Sequence, residues 1–150
     1  MKQDVEVRPL AADDRAQWDR LYQAYAEFYK VEQTPEMRDR VWSWLHDPAH
    51  EVKCLVALKD SGELIGITHY RPFARPLAAA MGCYLDDLFV TPQARGSGAV
   101  DALIDGVKAV SLERGWSVVR WITAEDNYRG RGVYDRVASR TQWVTYEIKL

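Results

Sequence analysis

The stretch YLDDLFVTPQARGSGAVDAL, residues 84–103, carries two adjacent carboxylates, Asp86 and Asp87, ahead of two closely spaced glycines, Gly96 and Gly98. Two like charges side by side are unfavourable to bury or half-bury unless a cation neutralises them. Glycines leave the backbone amides of a turn open to a ligand, because no side chain blocks the approach. The pattern predicts a site for a cation close to a site for an anion.

The glycine turn QARGSGA precedes a run with helical spacing. Free amides at a helix N-terminus carry the positive end of the helix dipole and bind phosphate, and Arg95 adds a full charge. A Walker loop would need Lys and Ser/Thr where Ala99 and Val100 stand, and a Rossmann fingerprint would need Gly or Ala at Asp101. We therefore expect either another phosphate ligand or a simple tight turn.

Composition narrows the class of protein. A chain of 150 residues with 47% hydrophobic content predicts one domain, residues 1–150, with a sizeable core. The net charge of −2 argues against general binding to nucleic acid or to a membrane surface. No apolar stretch approaches the ~20 residues of a membrane span, and the N-terminus has no signal-peptide core, so we expect a cytoplasmic protein. Cys54 and Cys83 fit that compartment as reduced thiols, too far apart for a thiolate metal site.

Hydrophobic periodicity predicts the order β-α-α-β-β-β-α-β-α-β, a mixed α/β sandwich. A strand near residues 5–8 precedes a helix capped by Asp13 or Asp14, and Thr34 with Pro35 starts the second helix, which Asp47 and Pro48 stop. The inward faces of these helices are predicted to carry Trp18, Leu21, Tyr22, Tyr25 and Phe28 on the first, and Met37, Val41, Trp44 and Leu45 on the second.

The second half of the chain begins with a predicted hairpin, EVKCLVAL and ELIGITHYR joined at KDSG. The segment PFARPLAAAMG, residues 72–82, has two prolines and no period, which predicts a long loop. A strand over residues 84–90 leads into a helix that Gly115 ends. We expect further strands in SVVRWIT and TQWVTYEIK, with a short helix in DNYRGRGVYDRVA between them.

The segment DLFVTPQARGSGAVDALI resembles the acetyl-CoA motif of the GCN5-related N-acetyltransferases (GNAT), Gln/Arg-x-x-Gly-x-Gly/Ala, which Gln93, Gly96 and Gly98 match. The family's Asn followed seven residues later by a helix Tyr is matched by Asn127 and Tyr134. The strand YLDDLFV is similar to the spermidine/spermine acetyltransferase branch, which has a carboxylate pair on this strand. The chain departs from the family's pattern at Val100, Asp101 and Gly130, where a third glycine, a basic or small residue and an alanine are usual.

The resemblance implies a GNAT-type fold, a mixed and mostly antiparallel sheet flanked by helices. It implies transfer of the acetyl group of acetyl-CoA, a cosubstrate used without a metal, to a primary amine such as a polyamine or a lysine-like group. It also implies a homodimer, and the alternating tail TQWVTYEIKL could extend a sheet between subunits. A protein lysine as acceptor, and a catalytically idle acyl-CoA-binding module, stay open as alternatives.

Roles for individual residues also follow from the resemblance. Asp86 is the expected base, acting through water, and Asp87 would hold the cationic amine. Tyr134 would protonate the departing CoA thiolate, a role within reach of a hydroxyl with a pKa near 10. The expected contacts to acetyl-CoA are Asn127 and Tyr134, the strand amides at Leu88, Phe89 and Val90, and a pyrophosphate site at Arg95, Gly96, Ser97, Gly98, Ala99 and Val100.

Each assignment has a structural alternative. The two aspartates could be a solvated strand end, Tyr134 a core aromatic and Asn127 a helix cap. Cys83 lies three residues before Asp86 and could form an acyl-enzyme, although a lone Cys is more often a small buried hydrophobe. Arg129 and Arg131 could contact CoA phosphates or be solvated, and His46, His50 and His69 are interpreted as structural or surface residues, without a second metal ligand at suitable spacing.

Overall fold

The structure of the protein is a computed structural model, and it describes residues 5–150. Its centre is a five-stranded sheet in the order β1-β2-β3-β4-β5, in which β1 to β4 are antiparallel and β5 runs parallel to β4. The mixed α/β class predicted from the sequence is confirmed. The strands are β1 (Glu6–Pro9), β2 (Lys53–Leu58), β3 (Leu64–Arg75), β4 (Ala80–Val90) and β5 (Val119–Arg120).

Four helices flank the sheet: α1 (Arg15–Phe28), α2 (Pro35–Leu45), α3 (Ala99–Glu113) and α4 (Tyr128–Val137). Helices α1 and α2 contribute to one hydrophobic cluster, in which Trp18 is fully buried against Val56 and Ile67 of the sheet. Helix α3 contributes to the other cluster, in which Leu103 and Val107 are fully buried. The sheet therefore separates two apolar layers, as expected when helices cover both faces.

Local signals at several boundaries act as predicted. The hydroxyl of Thr34 accepts a hydrogen bond from the amide of Met37, and Pro35 is the first helical residue of α2. Gly115 has a φ of 72° and follows the end of α3. Gly62, with a φ of 87°, lies in the turn between β2 and β3. Of the described residues, none belongs to a helix long and apolar enough to cross a membrane.

The long loop predicted for residues 72–82 is wrong. Strand β3 runs on to Arg75 and β4 begins at Ala80, so most of this segment is a continuous antiparallel ladder closed by the short turn Pro76–Ala78. Proline was misleading here because β2 begins only at Lys53, which lies opposite Tyr70 of the antiparallel β3. Beyond that point β3 has a neighbour on one side only, where a missing N–H at Pro72 is tolerated.

The two strands predicted near the C-terminus differ from the structure. SVVRWIT contributes only Val119–Arg120 as β5, because β5 diverges from β4 after these residues. Residues 141–149 pair with no strand of the described chain, and their apolar side chains are exposed. A strand needs a neighbouring strand to satisfy its backbone. The predicted final strand is therefore not formed within one copy of the chain.

Three aromatic or sulfur-containing side chains assigned to the inner faces of α1 and α2 are instead exposed. They are Phe28, Met37 and Trp44, exposed by 53%, 45% and 38% respectively. Phe28 is the last residue of α1, and Trp44 borders a surface pocket described below. Amphipathic spacing identified the correct helices, but it does not predict burial for residues at a helix end or at the edge of a pocket.

Candidate active site

Asp86 forms a β-bulge in β4. His69 of β3 lies opposite Asp87 and Tyr70 lies opposite Leu85, so Asp86 is an extra residue without a partner in the register. Side chains alternate between faces along a regular strand, and a bulge resets that alternation. Asp86 and Asp87 consequently both border one pocket of about 350 Å³ on the α1 and α2 side of the sheet.

We call this the carboxylate pocket. Besides Asp86 and Asp87 it is bordered by Glu51, Arg71 and Trp44. Three acidic side chains thus meet one guanidinium and the imidazoles of His50 and His69, and an indole forms part of the wall. The excess of negative charge and the aromatic surface are suited to a cation.

Asp87 is held by two hydrogen-bond donors on the same oxygen. Nδ1 of His69 lies 2.8 Å from Oδ2, and the hydroxyl of Tyr22 donates to Oδ2 at 2.9 Å. Burial opposes ionisation, but the hydrogen bonds from His69 and Tyr22 outweigh it and hold the pKa of Asp87 below its ordinary value. Asp87 is therefore a carboxylate at neutral pH.

Asp86 has a different environment. Nε of Arg71 lies 3.1 Å from Oδ2 of Asp86 and 3.3 Å from Oδ1. Burial raises the pKa of Asp86, although the neighbouring Arg71 partly opposes the shift. A carboxylate with a raised pKa is a stronger base than one with an ordinary pKa. The two adjacent aspartates thus have pKa values displaced in opposite directions.

A second cavity, the cleft, opens where β4 and β5 separate. The two strands pair only at Cys83 with Val119 and at Tyr84 with Arg120. Beyond these pairs lies a space of about 400 Å³. Its walls include Leu85, Asp86, Leu88, Trp121 and Tyr134. Asp86 borders both the cleft and the carboxylate pocket, which makes it the meeting point of the two cavities.

The amides of β4 alternate between its two edges. The amide of Thr91 donates to the carbonyl of Ile65 on β3, so the amide of Phe89 is directed to β3 as well. The amides of Leu88 and Val90 are then directed to the edge where β5 has diverged. Phe89, which sequence reasoning grouped with these two, directs its side chain into the cluster beneath α1 instead.

The glycine turn leaves backbone donors free at the start of α3. Gly96 and Gly98 have φ values of 83° and 89°, a region that other residues rarely adopt. The first helical hydrogen bond runs from Ala102 to Gly98. Within the described chain, the amides of Val100 and Asp101 have no acceptor. This is the open helix N-terminus that an anion site requires.

The other residues of the predicted anion site have distinct positions. Oγ of Ser97 accepts from the amide of Ala99 at 3.3 Å, and both residues are buried. The exposed Arg95 lies with its guanidinium 5.6 Å from the ring centre of Phe28. Asp101, which departs from the family's pattern, pairs with Arg136 of α4 at 3.1 Å, so its charge is partly balanced.

Asn127 is the N-cap of α4, as its structural alternative proposed. Oδ1 of Asn127 accepts from the amide of Gly130 at 3.3 Å, and Nδ2 donates to Oγ1 of Thr123 at 2.9 Å. Thr123 borders the cleft, so Asn127 ties the cleft wall to the start of α4. A side-chain carbon at Gly130 would collide with the Asn127 amide. Gly130, where the family usually has an alanine, thus leaves room for the side chain of Asn127.

Tyr134 borders the cleft from α4. Its ring packs against Trp121 with centroids 5.4 Å apart and planes at 73°. Burial raises the pKa of Tyr134 to about 12, so its hydroxyl keeps its proton at neutral pH. Cys83 belongs to the hydrophobic cluster on the α3 side, and burial raises the pKa of its thiol. That environment is typical of a small buried hydrophobe rather than a nucleophile.

His69 was missed as a site residue because a single sequence does not reveal which residues face each other across strands. It is 1% exposed and directly opposite Asp87. Its position in the apolar run ELIGITHY, where a polar side chain needs a buried partner, was the available signal. His50 stacks on Trp44 at the pocket edge. In the part of the chain that is described, no group of three potential metal ligands is found.

Comparisons with known proteins agree with this architecture. The pattern of the acetyltransferase (GNAT) family matches residues 18–138. The D-amino-acid N-acetyltransferase HPA3 of Saccharomyces cerevisiae is 28% identical over 144 residues, which cover 95% of this chain and 89% of that protein. The uncharacterized N-acetyltransferase YhfO of Bacillus subtilis is 27% identical over 133 residues, 88% of this chain and 87% of that protein.

Solved structures share the fold. The ribosomal-protein-alanine N-acetyltransferase of Brucella melitensis biovar Abortus 2308 aligns with a TM-score of 0.82 at 24% identity, over 99% of this chain and 100% of that one. The aminoglycoside acetyltransferase AAC(6')-Iy, solved with a bisubstrate analogue, aligns with a TM-score of 0.82 at 16% identity, over 99% of both chains.

Proposed function

Because the chain belongs to the acetyltransferase (GNAT) family, whose members are acetyl-CoA-dependent N-acetyltransferases, we propose that it acetylates the primary amine of a small cationic acceptor. One observation carries the proposal: Asp86 borders both the acidic carboxylate pocket and the cleft between β4 and β5. An amine bound in the pocket would meet a thioester lying in the cleft at this residue.

The backbone amides that have no acceptor within the described chain, on β4 and at the start of α3, suggest how acetyl-CoA would be oriented in the cleft. The amides of Leu88 and Val90 are directed to the cleft edge, where the amide of Val90 would bond the pantetheine arm and the amide of Leu88 would bond the thioester carbonyl. The pyrophosphate would lie on the glycine turn, where Gly96, Gly98 and Val100 provide open backbone and the α3 dipole favours an anion. The acetyl group would then lie between Asp86 and Tyr134.

Transfer requires a neutral amine, and deprotonating a primary amine with a pKa near 10.4 costs roughly 4 to 5 kcal/mol at pH 7. In the proposed mechanism Asp87 binds the ammonium group and Asp86 accepts its proton through a water molecule. The neutral nitrogen bonds to the acetyl carbon, the carbon–sulfur bond breaks, and the second proton of the nitrogen leaves to solvent, from which Tyr134 regains the proton that it gives up. The amide of Leu88 stabilises the carbonyl oxygen, and Tyr134 gives its proton to the departing thiolate.

The chemical class of the acceptor has two candidates. The acidic excess of the carboxylate pocket favours a polyamine or a lysine-like group. Arg71 in the same pocket, and the name of the yeast relative, favour an amino acid, which carries a carboxylate beside its amine. We favour the first class because Arg71 is already paired with Asp86. A carboxylate on the acceptor would have to compete with that ion pair.

A matched series of acceptors distinguishes the two classes. Pentane-1,5-diamine, 5-aminopentan-1-ol and 5-aminopentanoate present the same primary amine with a cationic, neutral or anionic far end. Release of free thiol from acetyl-CoA gives kcat/KM for each, with spermidine and D-amino acids as further acceptors. We expect the highest kcat/KM for the diamine and the lowest for the aminopentanoate. A preference for acceptors with a carboxylate would contradict the cationic class, and no acetylation of any amine would contradict the proposed reaction.

The C-terminal tail supports a homodimer. Val144, Tyr146, Ile148 and Leu150 alternate with polar residues along the tail and are exposed by 74% to 118%. Strand β5 is the last strand of the sheet, and its outer edge has no strand beside it in the described chain. Within its described residues, each chain therefore has a tail with the alternation of a strand but no sheet to join, and a sheet whose β5 edge is free to accept a strand. We propose that two copies exchange tails, each pairing with β5 of the other.

The dimer is tested by mass in solution. Light scattering at micromolar concentration should give twice the chain mass of 17.2 kDa for the full-length protein. A variant ending at Ser139 should give the monomer mass. A monomeric full-length protein would reject the dimer, and a dimeric truncated protein would reject the role of the tail.

A further inference from the structure

Trp18, His69 and Asp87 form a continuous hydrogen-bonded path from the core to the carboxylate pocket. Nε1 of Trp18 donates to Nε2 of His69 at 3.0 Å, and Nδ1 of His69 lies 2.8 Å from Oδ2 of Asp87. Trp18 is fully buried, His69 is 1% exposed and the Asp87 side chain is 21% exposed. His69 and Asp87 both border the pocket, but only Asp87 has appreciable solvent exposure.

The direction of donation fixes the proton of His69. An indole N–H can donate but cannot accept, so Nε2 of His69 must be the acceptor. The proton of the neutral ring then lies on Nδ1 and is donated to Asp87. With this arrangement Nε2 has no room for a second proton, because that proton would face the Trp18 donor.

The groups around His69 come from three elements. Asp87 faces it from β4, the Cys54 thiol lies opposite on β2, and Tyr22 packs edge-on from α1 with ring centroids 4.7 Å apart. Burial lowers the pKa of His69, but the Cys54 thiol and the Asp87 carboxylate together outweigh burial and raise that pKa to about 10. These groups alone would favour an imidazolium. An imidazolium would, however, direct its Nε2–H at the N–H of Trp18 only 3.0 Å away, and this geometry favours the neutral ring.

We propose that Trp18 and His69 are positioning residues for Asp87, which hold Oδ2 so that Oδ1 binds the acceptor amine and keep the ring neutral. This inference rests on the proposed function, in which Asp87 binds the ammonium group. Oδ2 accepts from two donors, His69 and Tyr22, which leaves Oδ1 as the oxygen for the amine. The hydroxyl of Tyr25 on α1 also faces the Asp87 carboxylate and lowers its pKa. Because His69 is kept neutral, the pocket keeps the full charge of Asp87 on both sides of the ordinary histidine pKa of about 6.5.

Trp18→Phe tests the path, because it removes the donor while retaining an aromatic ring. Nε2 of His69 then becomes free to bind a proton at low pH. The resulting imidazolium would neutralise Asp87, so the acceptor KM should rise roughly tenfold at the acidic end of the pH range and return toward the wild-type value as the pH is raised and the ring loses its proton. The kcat should change little.

Trp42→Phe is the matched control. Trp42 packs on Trp18 with ring centroids 5.2 Å apart. Its replacement by Phe is the same chemical change, but Trp42 makes no hydrogen bond to His69 or Asp87. If Trp18 has a structural role alone, both variants should lose similar stability, and the acceptor KM should gain no new dependence on pH in either. The same pH profile in both variants, or an unchanged KM in Trp18→Phe at every pH, would overturn the positioning role.

Two further measurements do not depend on the stability of Trp18→Phe. His69→Asn keeps an N–H near the position of Nδ1 and should retain a lower acceptor KM than His69→Leu, and equal KM values would contradict the proposal. In the wild-type protein, ¹⁵N NMR should show His69 protonated on Nδ1 alone from about pH 5.5 to 8. An imidazolium or an Nε2–H tautomer would overturn the path. Because this readout needs no turnover, an incorrect tautomer is distinguishable from an incorrect reaction.

Discussion

Asp86 and Asp87 are consecutive residues, yet both border the same pocket of the sheet. The bulge opposite His69 and Tyr70 produces this arrangement, since a regular strand would direct the two side chains to opposite faces. The pair also have pKa values displaced in opposite directions, raised at Asp86 and lowered at Asp87. One carboxylate is thereby suited to accept a proton and the other to remain charged.

Arg71→Gln should move the acidic limb of the kcat/KM profile to higher pH. Arg71 opposes the burial that raises the pKa of Asp86, so its removal should raise that pKa further. A base with a higher pKa becomes ionised at higher pH, and activity should be lost earlier on acidification. Initial rates of thiol release between about pH 5.5 and 8.5 measure the shift.

Arg75→Gln is the control for that measurement, because Arg75 lies on the same strand but bonds to Ser117 and borders neither cavity. Its profile should match the wild type. An Arg71→Gln profile that moves to lower pH would contradict the assignment of the acidic limb to Asp86.

Tyr134→Phe should lower the single-turnover rate by roughly 10²- to 10⁴-fold, the usual effect of a positioned general acid. The variant keeps the ring that packs on Trp121 and removes only the hydroxyl. Affinity for acetyl-CoA, measured by calorimetry, should change little. Single-turnover conditions are needed because slow product release would mask part of the loss in kcat.

Tyr70→Phe removes the hydroxyl of a buried tyrosine that borders neither cavity and should leave the transfer rate unchanged. If Tyr134→Phe also transfers at the wild-type single-turnover rate, Tyr134 is not the acid and solvent must supply the proton.

Gly98→Asp should greatly weaken binding of acetyl-CoA, because it adds bulk and negative charge beside the open amides of α3. Gly62→Asp is a matched control. Its φ of 87° is close to the 89° of Gly98, but it lies in the turn between β2 and β3. Both variants should lose stability from backbone strain, and only Gly98→Asp should lose affinity in calorimetry. Unchanged affinity in folded Gly98→Asp would mean that the anion site lies elsewhere.

Asp14→Asn should lower the free energy of unfolding at pH 7 by about 1–3 kcal/mol. The Arg8 guanidinium bonds both oxygens of the buried Asp14, at 2.7 and 3.0 Å, and holds the pKa of that carboxyl below its ordinary value. A lowered folded-state pKa stabilises the protein above the unfolded value of about 3.9, and this stability is lost as the pH falls. Urea unfolding should therefore show a difference between variant and wild type at pH 7 that shrinks toward pH 3. A difference that stays constant over this range would contradict the ion pair.

Sequence reasoning was most successful where a local rule determines the conformation. Gly98 and Gly115 were identified from turn and helix-end chemistry, and both have positive φ values. Thr34 with Pro35 marks the start of α2 for the same kind of reason. Periodicity identified α3 because its apolar stripe faces the sheet.

Sequence reasoning failed where the outcome depends on which strands are neighbours. Pro72 is tolerated within β3 because the pairing with β2 stops at Tyr70, so no described strand on that side needs the N–H that proline lacks. The bulge at Asp86 and the contact of His69 with Asp87 depend on cross-strand register, which no local pattern in one chain encodes. The tail, residues 141–149, has the alternation of a strand and lacks a partner within its own copy.

The pH dependence of acetyl transfer in Asp86→Asn and Asp87→Asn tests the division of roles between the two carboxylates most directly. Asp86→Asn should lower kcat by roughly 10²- to 10⁴-fold at neutral pH and recover part of it at alkaline pH, where solvent deprotonates the amine. Asp87→Asn should mainly raise the acceptor KM, by roughly tenfold or more, because it loses a charge-assisted contact with the ammonium group. Equal losses in both variants that do not change with pH would contradict the proposed division of roles.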